Sequence, residues 1–272
     1  MNRKIQNEVS KLLEIITLKD MRSNDVITWG SPVISFGDPT TSIIATLGLN
    51  PSNREFVDKA GQELTGKKRR FHTLSSLKLK KWSDINDTHL SLITKTYSGY
   101  FENNPYTNWF NCLDDLISSA GATFYGADAN ACHLDLVPYA TKVKWGKLGT
   151  EKQTTLLKAS SGSLGVILKN SNIDCIILNG MSVLRAFEFI SDVKLSTKEV
   201  HAWSLPRSNG KSVKGISFSG HISRILNCKL GREIQVLGYN HNLQSSFGVT
   251  KSVKSSIKAW VGRNQEVIIL EE

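Results

Sequence analysis

The sequence predicts an α/β protein. The expected form is a three-layer α/β/α sandwich around a central four-stranded, mainly parallel sheet, with an inserted hairpin. Three observations predict it. Four short runs rich in Ile, Val and Leu recur along the chain, as strands buried on both faces require. Helical apolar stripes separate or follow them. Each run ends in small and polar residues, the pattern of strands whose carboxyl ends open onto a crevice.

Taken in order, Ile5, Val9, Leu12, Leu13 and Ile16 fall at helical spacing, so residues 1–30 read as an N-terminal helical extension. The four strand runs are Ser42–Leu49, Ala131–Val137, Asp174–Leu178 and Glu233–Leu237. Residues 57–100 show the least regular pattern and read as an irregular basic loop region, suited to a lid or binding loop. Helical stripes follow at Trp109, Leu113, Leu116 and Ile117, and then at Leu157, Leu164, Ile167 and Leu168. Val183, Leu184 and Phe187 follow the third strand, and Val249, Val253, Ile257 and Trp260 the fourth. Between them Val200–Leu205 and Val213–Phe218 flank Asn209–Gly210, a hairpin turn signal. With no internal repeat or low-complexity linker, residues 1–272 parse as one domain.

Composition narrows the function. Apolar residues make up 40% and charged residues 21% of the 272, ordinary for a soluble globular chain. No apolar run approaches the roughly 18 residues of a membrane span. The first residues resemble an amphipathic helix and not a signal peptide. Cys112, Cys132, Cys175 and Cys228 lie far apart without a CxxC pair, so zinc ribbons and iron–sulfur clusters lack support and reduced thiols in the cytoplasm are expected. Lys plus Arg number 34 against 24 Asp plus Glu, a net +10 that makes a polyanionic partner, nucleic acid first, plausible. The sharpest basic cluster is Lys67–Lys68–Arg69–Arg70, continued by Phe71 and His72. It reads either as a solvated loop or as a phosphate-tracking arm with aromatic residues interleaved.

Ligands of an open parallel sheet bind beyond the carboxyl ends of its strands, so those positions are the informative ones. The first strand ends in Gly48–Leu49–Asn50–Pro51–Ser52 and the second carries His133–Leu134–Asp135–Leu136–Val137–Pro138. The third ends in Asn179–Gly180–Met181–Ser182, and the fourth in Tyr239–Asn240–His241–Asn242–Leu243–Gln244–Ser245–Ser246. An amide, a carboxylate and an imidazole would thus converge on one crevice.

In motif order across residues 42–261, this series resembles the uracil-DNA glycosylase superfamily, residue-specifically at GLNPS, DLVP and YNHNLQSS. The resemblance implies that Asn50 orients the water that attacks the sugar, and that His241 hydrogen-bonds the departing base where charge develops. It implies that Leu243 wedges into the gap left by a flipped nucleotide, and that Ser52, Gly180, Ser182, Ser245 and Ser246 grip phosphates. The activity implied is monofunctional hydrolysis of a glycosidic bond in DNA by a monomer, with no cofactor and no metal. Phe56, Phe71 and His72 are candidates to pack on the flipped base, although core packing is the commoner fate of a lone Phe.

One position departs from the superfamily pattern. Related branches carry Asn-Leu-x-Pro on the second strand; here Asp135 stands in place of that Asn. Asn suits the uracil edge because it both donates and accepts, whereas an ionised Asp only accepts and suits the N4 amino group of cytosine. Cytosine N3 also accepts, so one proton must be shared between Asp135 and the base. Excision of ordinary cytosine would destroy host DNA, so the expected target is a modified cytosine in phage DNA. Within the superfamily the pattern looks most like phage-defence glycosylases that remove glucosylated hydroxymethylcytosine. The alternatives are a uracil-DNA glycosylase of base-excision repair and a catalytically silent DNA-binding module on the same fold.

Simpler readings stand beside these. Asn50 also reads as a plain turn residue before Pro51, the lesser of its two readings, and Asp135 equally as a strand-end cap or ion-pair partner. His133 and Asp135 share a strand face and would suit a metal pair, but no further ligands are evident. No GxSxG elbow accompanies the Ser, His and Asp residues, and GLNPSN is neither dinucleotide fingerprint nor P-loop.

Overall fold

The structure is a computed structural model that describes residues 3–103, 108–191, 193–206, 210, 212–244 and 248–265. Ser245, Ser246 and the expected turn residue Asn209 lie outside the described residues.

All four expected strands form: β1 (Ile44–Gly48), β2 (Ala131–Asp135), β3 (Cys175–Asn179) and, last of the described strands in chain order, β8 (Cys228–Tyr239). Every residue of β1, β2 and β3 is buried, which is why these segments read as unbroken apolar runs and not as alternating ones. β1 sits between β2 and β3, and β3 pairs with β8, all in parallel.

Among the described residues the main sheet has six strands, not four. β7 (Ile216–Ile225) pairs antiparallel with β8, and β4 (Ser196–Glu199) pairs antiparallel with β7, giving the order β2-β1-β3-β8-β7-β4. Every β4 residue, Ser-Thr-Lys-Glu, is exposed, so no apolar pattern marks it; its charges suit an edge strand. The expected hairpin is reduced to a ribbon of β5 (Leu205–Pro206) with β6 (Ser212–Val213). Its second arm stops short because Ile216–Phe218 joins the main sheet instead.

Helices cover the sheet. α1 (Arg3–Ile15) and α2 (Lys19–Ser23) open the chain. α1 buries Ile5, Val9, Leu12 and Leu13, and the Tyr139 hydroxyl donates to its Leu12 carbonyl at 2.7 Å, so the first residues are part of the body and not an appendage. The 57–100 region is more ordered than its sequence implied: α3 (Asp87–Ser98) occupies its end, with Asn86 and His89 closing a capping box, and packs on α1. α4 (Tyr100–Asn103) and α5 (Asn108–Ile117) follow. α6 (Thr150–Ser160) leads into α7 (Gly162–Lys169), which packs on β7 and β8. α8 (Met181–Ser191) packs on β3 and β7, and α9 (Lys251–Asn264) on α5 and β8. No described helix is long and apolar enough to cross a membrane. All four cysteines are free thiols.

Candidate functional site

A cavity of ≈ 540 Å³ lies at the carboxyl ends of the four parallel strands, within the range of small-ligand sites. β1 contributes Gly48 through Ser52, β2 contributes Asp135, β3 contributes Asn179, and the loop after β8 contributes Asn242. Two of the three expected chemistry-bearing groups, Asn50 and Asp135, share this cavity.

Asn50 is pinned. Its Nδ2 donates to the Tyr139 carbonyl and to Thr141 Oγ1, both at 3.1 Å. A carbonyl only accepts, so the amide nitrogen must face Tyr139 and the Oδ1 acceptor is turned the other way. Pro51 stiffens the corner, and Ser52 Oγ accepts from the Arg54 amide at 3.2 Å, capping the single 3-10 turn Asn53–Glu55.

Asp135 is 8% exposed and ends β2 opposite Gly48 of β1. His133, two residues earlier on the same face, places Nε2 3.6 Å from Asp135 Oδ1, an ion-pair distance too long for a hydrogen bond. Its Nδ1 meets Thr46 Oγ1 at 2.7 Å, which fixes the ring from below. Among the described residues this pair belongs to no metal-binding group of three or more His, Cys, Asp or Glu.

Sequence reasoning missed Glu55. It lines the cavity, buried at the end of the turn that Ser52 caps. Arg70 Nη1 stands 3.3 and 3.4 Å from its two carboxylate oxygens, and the Tyr100 hydroxyl donates to Oε2 at 3.0 Å. Burial pushes the Glu55 carboxyl above its ordinary range; Arg70 and Tyr100 oppose the rise, and Asp135 adds to it.

The aromatic walls are Phe36, Tyr100, Trp109, Phe110 and Trp145. Phe36 joins β2 through reciprocal backbone bonds with His133, and Trp109 sets its ring edge-on to the His133 imidazole at 4.9 Å. Trp109 is 39% exposed, and that exposure is what a stripe read purely as core could not convey.

The remaining expected residues lie elsewhere. Phe56 and Phe71 do not line the cavity; they are core residues, Phe71 stacked on Tyr100 at 5.3 Å. His241 is buried, and its Nε2 donates to the Trp203 carbonyl at 2.7 Å, so the ring is drawn toward the 201–203 turn and does not line the cavity. Leu243 is 3% exposed and packs into the core, where a wedge would have to project. The Gly180 amide donates to the Tyr239 carbonyl at 3.1 Å and is not offered to a phosphate. Gly180 instead has φ +97° and lies so close to Asn242 that a side chain would crowd that backbone. Ser52 lies at the cavity rim, and Ser182 is exposed on α8.

Lys67, Lys68, Arg69 and His72 line a neighbouring cleft of ≈ 1080 Å³. Arg54, Arg70 and Tyr100 border both spaces, so the cleft adjoins the cavity. With Lys59 and Lys95 added, its cations outnumber Asp58 and Glu102, and it presents a strongly positive channel.

The chain matches no protein-family model and no curated protein.

Proposed function

We propose that the chain is a monofunctional DNA glycosylase on a three-layer α/β/α fold of the uracil-DNA glycosylase kind. It takes a flipped, modified cytosine, such as glucosylated hydroxymethylcytosine of phage DNA, and leaves an abasic site. One observation carries this reading: Asn50, its amide nitrogen pinned by Tyr139 and Thr141, and a buried carboxylate, Asp135, line one aromatic-walled cavity that adjoins a basic cleft.

In this reading the cleft takes the sugar–phosphate backbone and the cavity takes the extruded base. Trp109, Phe110, Tyr100 and Trp145 supply the stacking surfaces, in place of Phe56 and Phe71. Asp135 accepts from the N4 amino group. Asn50 Oδ1 accepts from a water and aims its lone pair at the sugar carbon as the glycosidic bond loosens; positioning, and not basicity, is its contribution. His241 holds the loop after β8 against Trp203, a supporting role. The enzyme acts as a cytoplasmic monomer.

The position of His241 favours a second reading, a binding module that grips DNA without chemistry. Oligonucleotides carrying uracil, cytosine, hydroxymethylcytosine or its glucoside, treated with alkali after incubation, separate the readings. Cleavage at the modified cytosines is expected. Cleavage at uracil alone overturns the cytosine assignment, and retention of DNA with no cleavage supports the module.

A further inference from the structure

A cytosine-type base presents Asp135 with an N4 amino donor but also turns an N3 acceptor toward the cavity. An ionised carboxylate there repels that lone pair, so a second group must bring a proton. Asn50 Nδ2 is spent on Tyr139 and Thr141, and the Tyr100 hydroxyl is spent on Glu55. Glu55 lines the same cavity, is 8% exposed, and is clamped by Arg70 and Tyr100.

Resting on the glycosylase reading, we infer that Glu55 is the proton donor of the site: its neutral carboxyl reads N3 of a 4-aminopyrimidine while Asp135 reads the amino group. The proton resides on Glu55. Burial raises the Glu55 carboxyl and the Asp135 charge raises it further, against the pull of Arg70 and Tyr100. The other charged or titratable groups facing the cavity are Arg54, Lys144 and His133.

The proton has a use beyond recognition. As the C1′–N1 bond breaks, its electron pair goes to the base, and the Glu55 proton passes to N3. The base departs as a neutral tautomer and not as an anion. The water held at Asn50 adds to C1′, and the proton it sheds restores Glu55. Arg70 borders both cavity and basic cleft, so a phosphate in the cleft competes for the guanidinium and leaves Glu55 more firmly protonated once DNA is seated.

The test is the pH dependence of single-turnover base release from a hydroxymethylcytosine or glucosylated hydroxymethylcytosine oligonucleotide. The wild-type rate should fall on the alkaline side, as pH rises through the raised value of Glu55. Glu55→Gln keeps an N–H donor toward N3 but has no proton to transfer; it should keep DNA affinity, lose about 100-fold in release rate and lose the alkaline limb. Glu55→Ala should lose about 100-fold or more. Tyr100→Phe removes a hydrogen bond that favours the ionised form and leaves the ring in place, so the limb should move to higher pH. An unchanged limb in Glu55→Gln and Tyr100→Phe, with release intact, overturns the role of Glu55 alone. No release of any base by the wild-type chain overturns the glycosylase reading itself, and release of uracil only overturns the roles of both Glu55 and Asp135.

Discussion

Gly48 and Asp135 face each other across the β1–β2 ladder, and the space above Gly48 is filled by the Asp135 carboxylate. A Cβ on Gly48 would overlap Asp135 Oδ1 and lie 2.9 Å from His133 Nε2. The glycine of the GLNPS stretch is therefore required by a close approach, and not by its backbone angle. Gly48→Ala should push Asp135 from its place. Base release should fall about 100-fold from misplacement of order 1 Å, while the fold survives at a cost of about 1–3 kcal/mol. Thermal melting and single-turnover rates check this together; a variant with wild-type rate would mean that the position of Asp135 is immaterial.

Asp135→Asn exchanges an acceptor for a group that can donate and accept. The preference should move from the modified cytosine toward uracil by about 10- to 100-fold, the effect of 1–3 kcal/mol per base-edge interaction. Competition between the two substrates in one reaction measures the ratio directly. An unmoved ratio removes Asp135 from recognition.

Lys67, Lys68 and Arg69 line the basic cleft without bordering the cavity. Replacing all three with Gln should flatten the dependence of DNA affinity on salt, by about 0.7–0.9 in log–log slope for each phosphate left without its cation. Base preference should stay as it is. Titrations at several salt concentrations check the slope, and an unchanged slope would place the DNA backbone elsewhere.

His72 is held neutral. Burial, and then the nearby charges of Arg69 and His89, lower its pKa to about 4 from the ordinary 6.5. Between pH 6.5 and 4 the unfolded chain takes up a proton that the folded chain refuses, so stability falls as pH falls through that window. His72→Gln should make the melting temperature less sensitive to pH over that window. Identical slopes in the two proteins would show that His72 does not carry this part of the acid response.

Legibility in the sequence followed burial. β1, β2 and β3 are buried throughout and could be read as apolar runs, while β4 is exposed throughout and could not. α3 has a weakly amphipathic stripe and is not read from the sequence; its start is fixed by the Asn86–His89 capping box, which the structure shows. Asn50 and Asp135 could be found because a strand-end rule locates them. Glu55 could not: its partners lie 15 and 45 residues further along, at Arg70 and Tyr100, and no spacing encodes such a pairing. His241 satisfies the same strand-end rule, yet the Trp203 carbonyl captures it, an interaction between the insert and the last loop that no local pattern shows.

Everything proposed for the site turns on Asn50 aiming a water at the sugar of a flipped modified cytosine. The decisive experiment is mass spectrometric detection of free base after incubating the chain with single- and double-stranded DNA carrying glucosylated hydroxymethylcytosine. Release of the intact modified base is expected, with one abasic site per base released. Asn50→Ala should lose about 100-fold or more in rate and keep most of its DNA affinity. Tight, salt-sensitive DNA binding with no free base, identical in wild-type and Asn50→Ala protein, would overturn the catalytic role of Asn50 and leave a binding module.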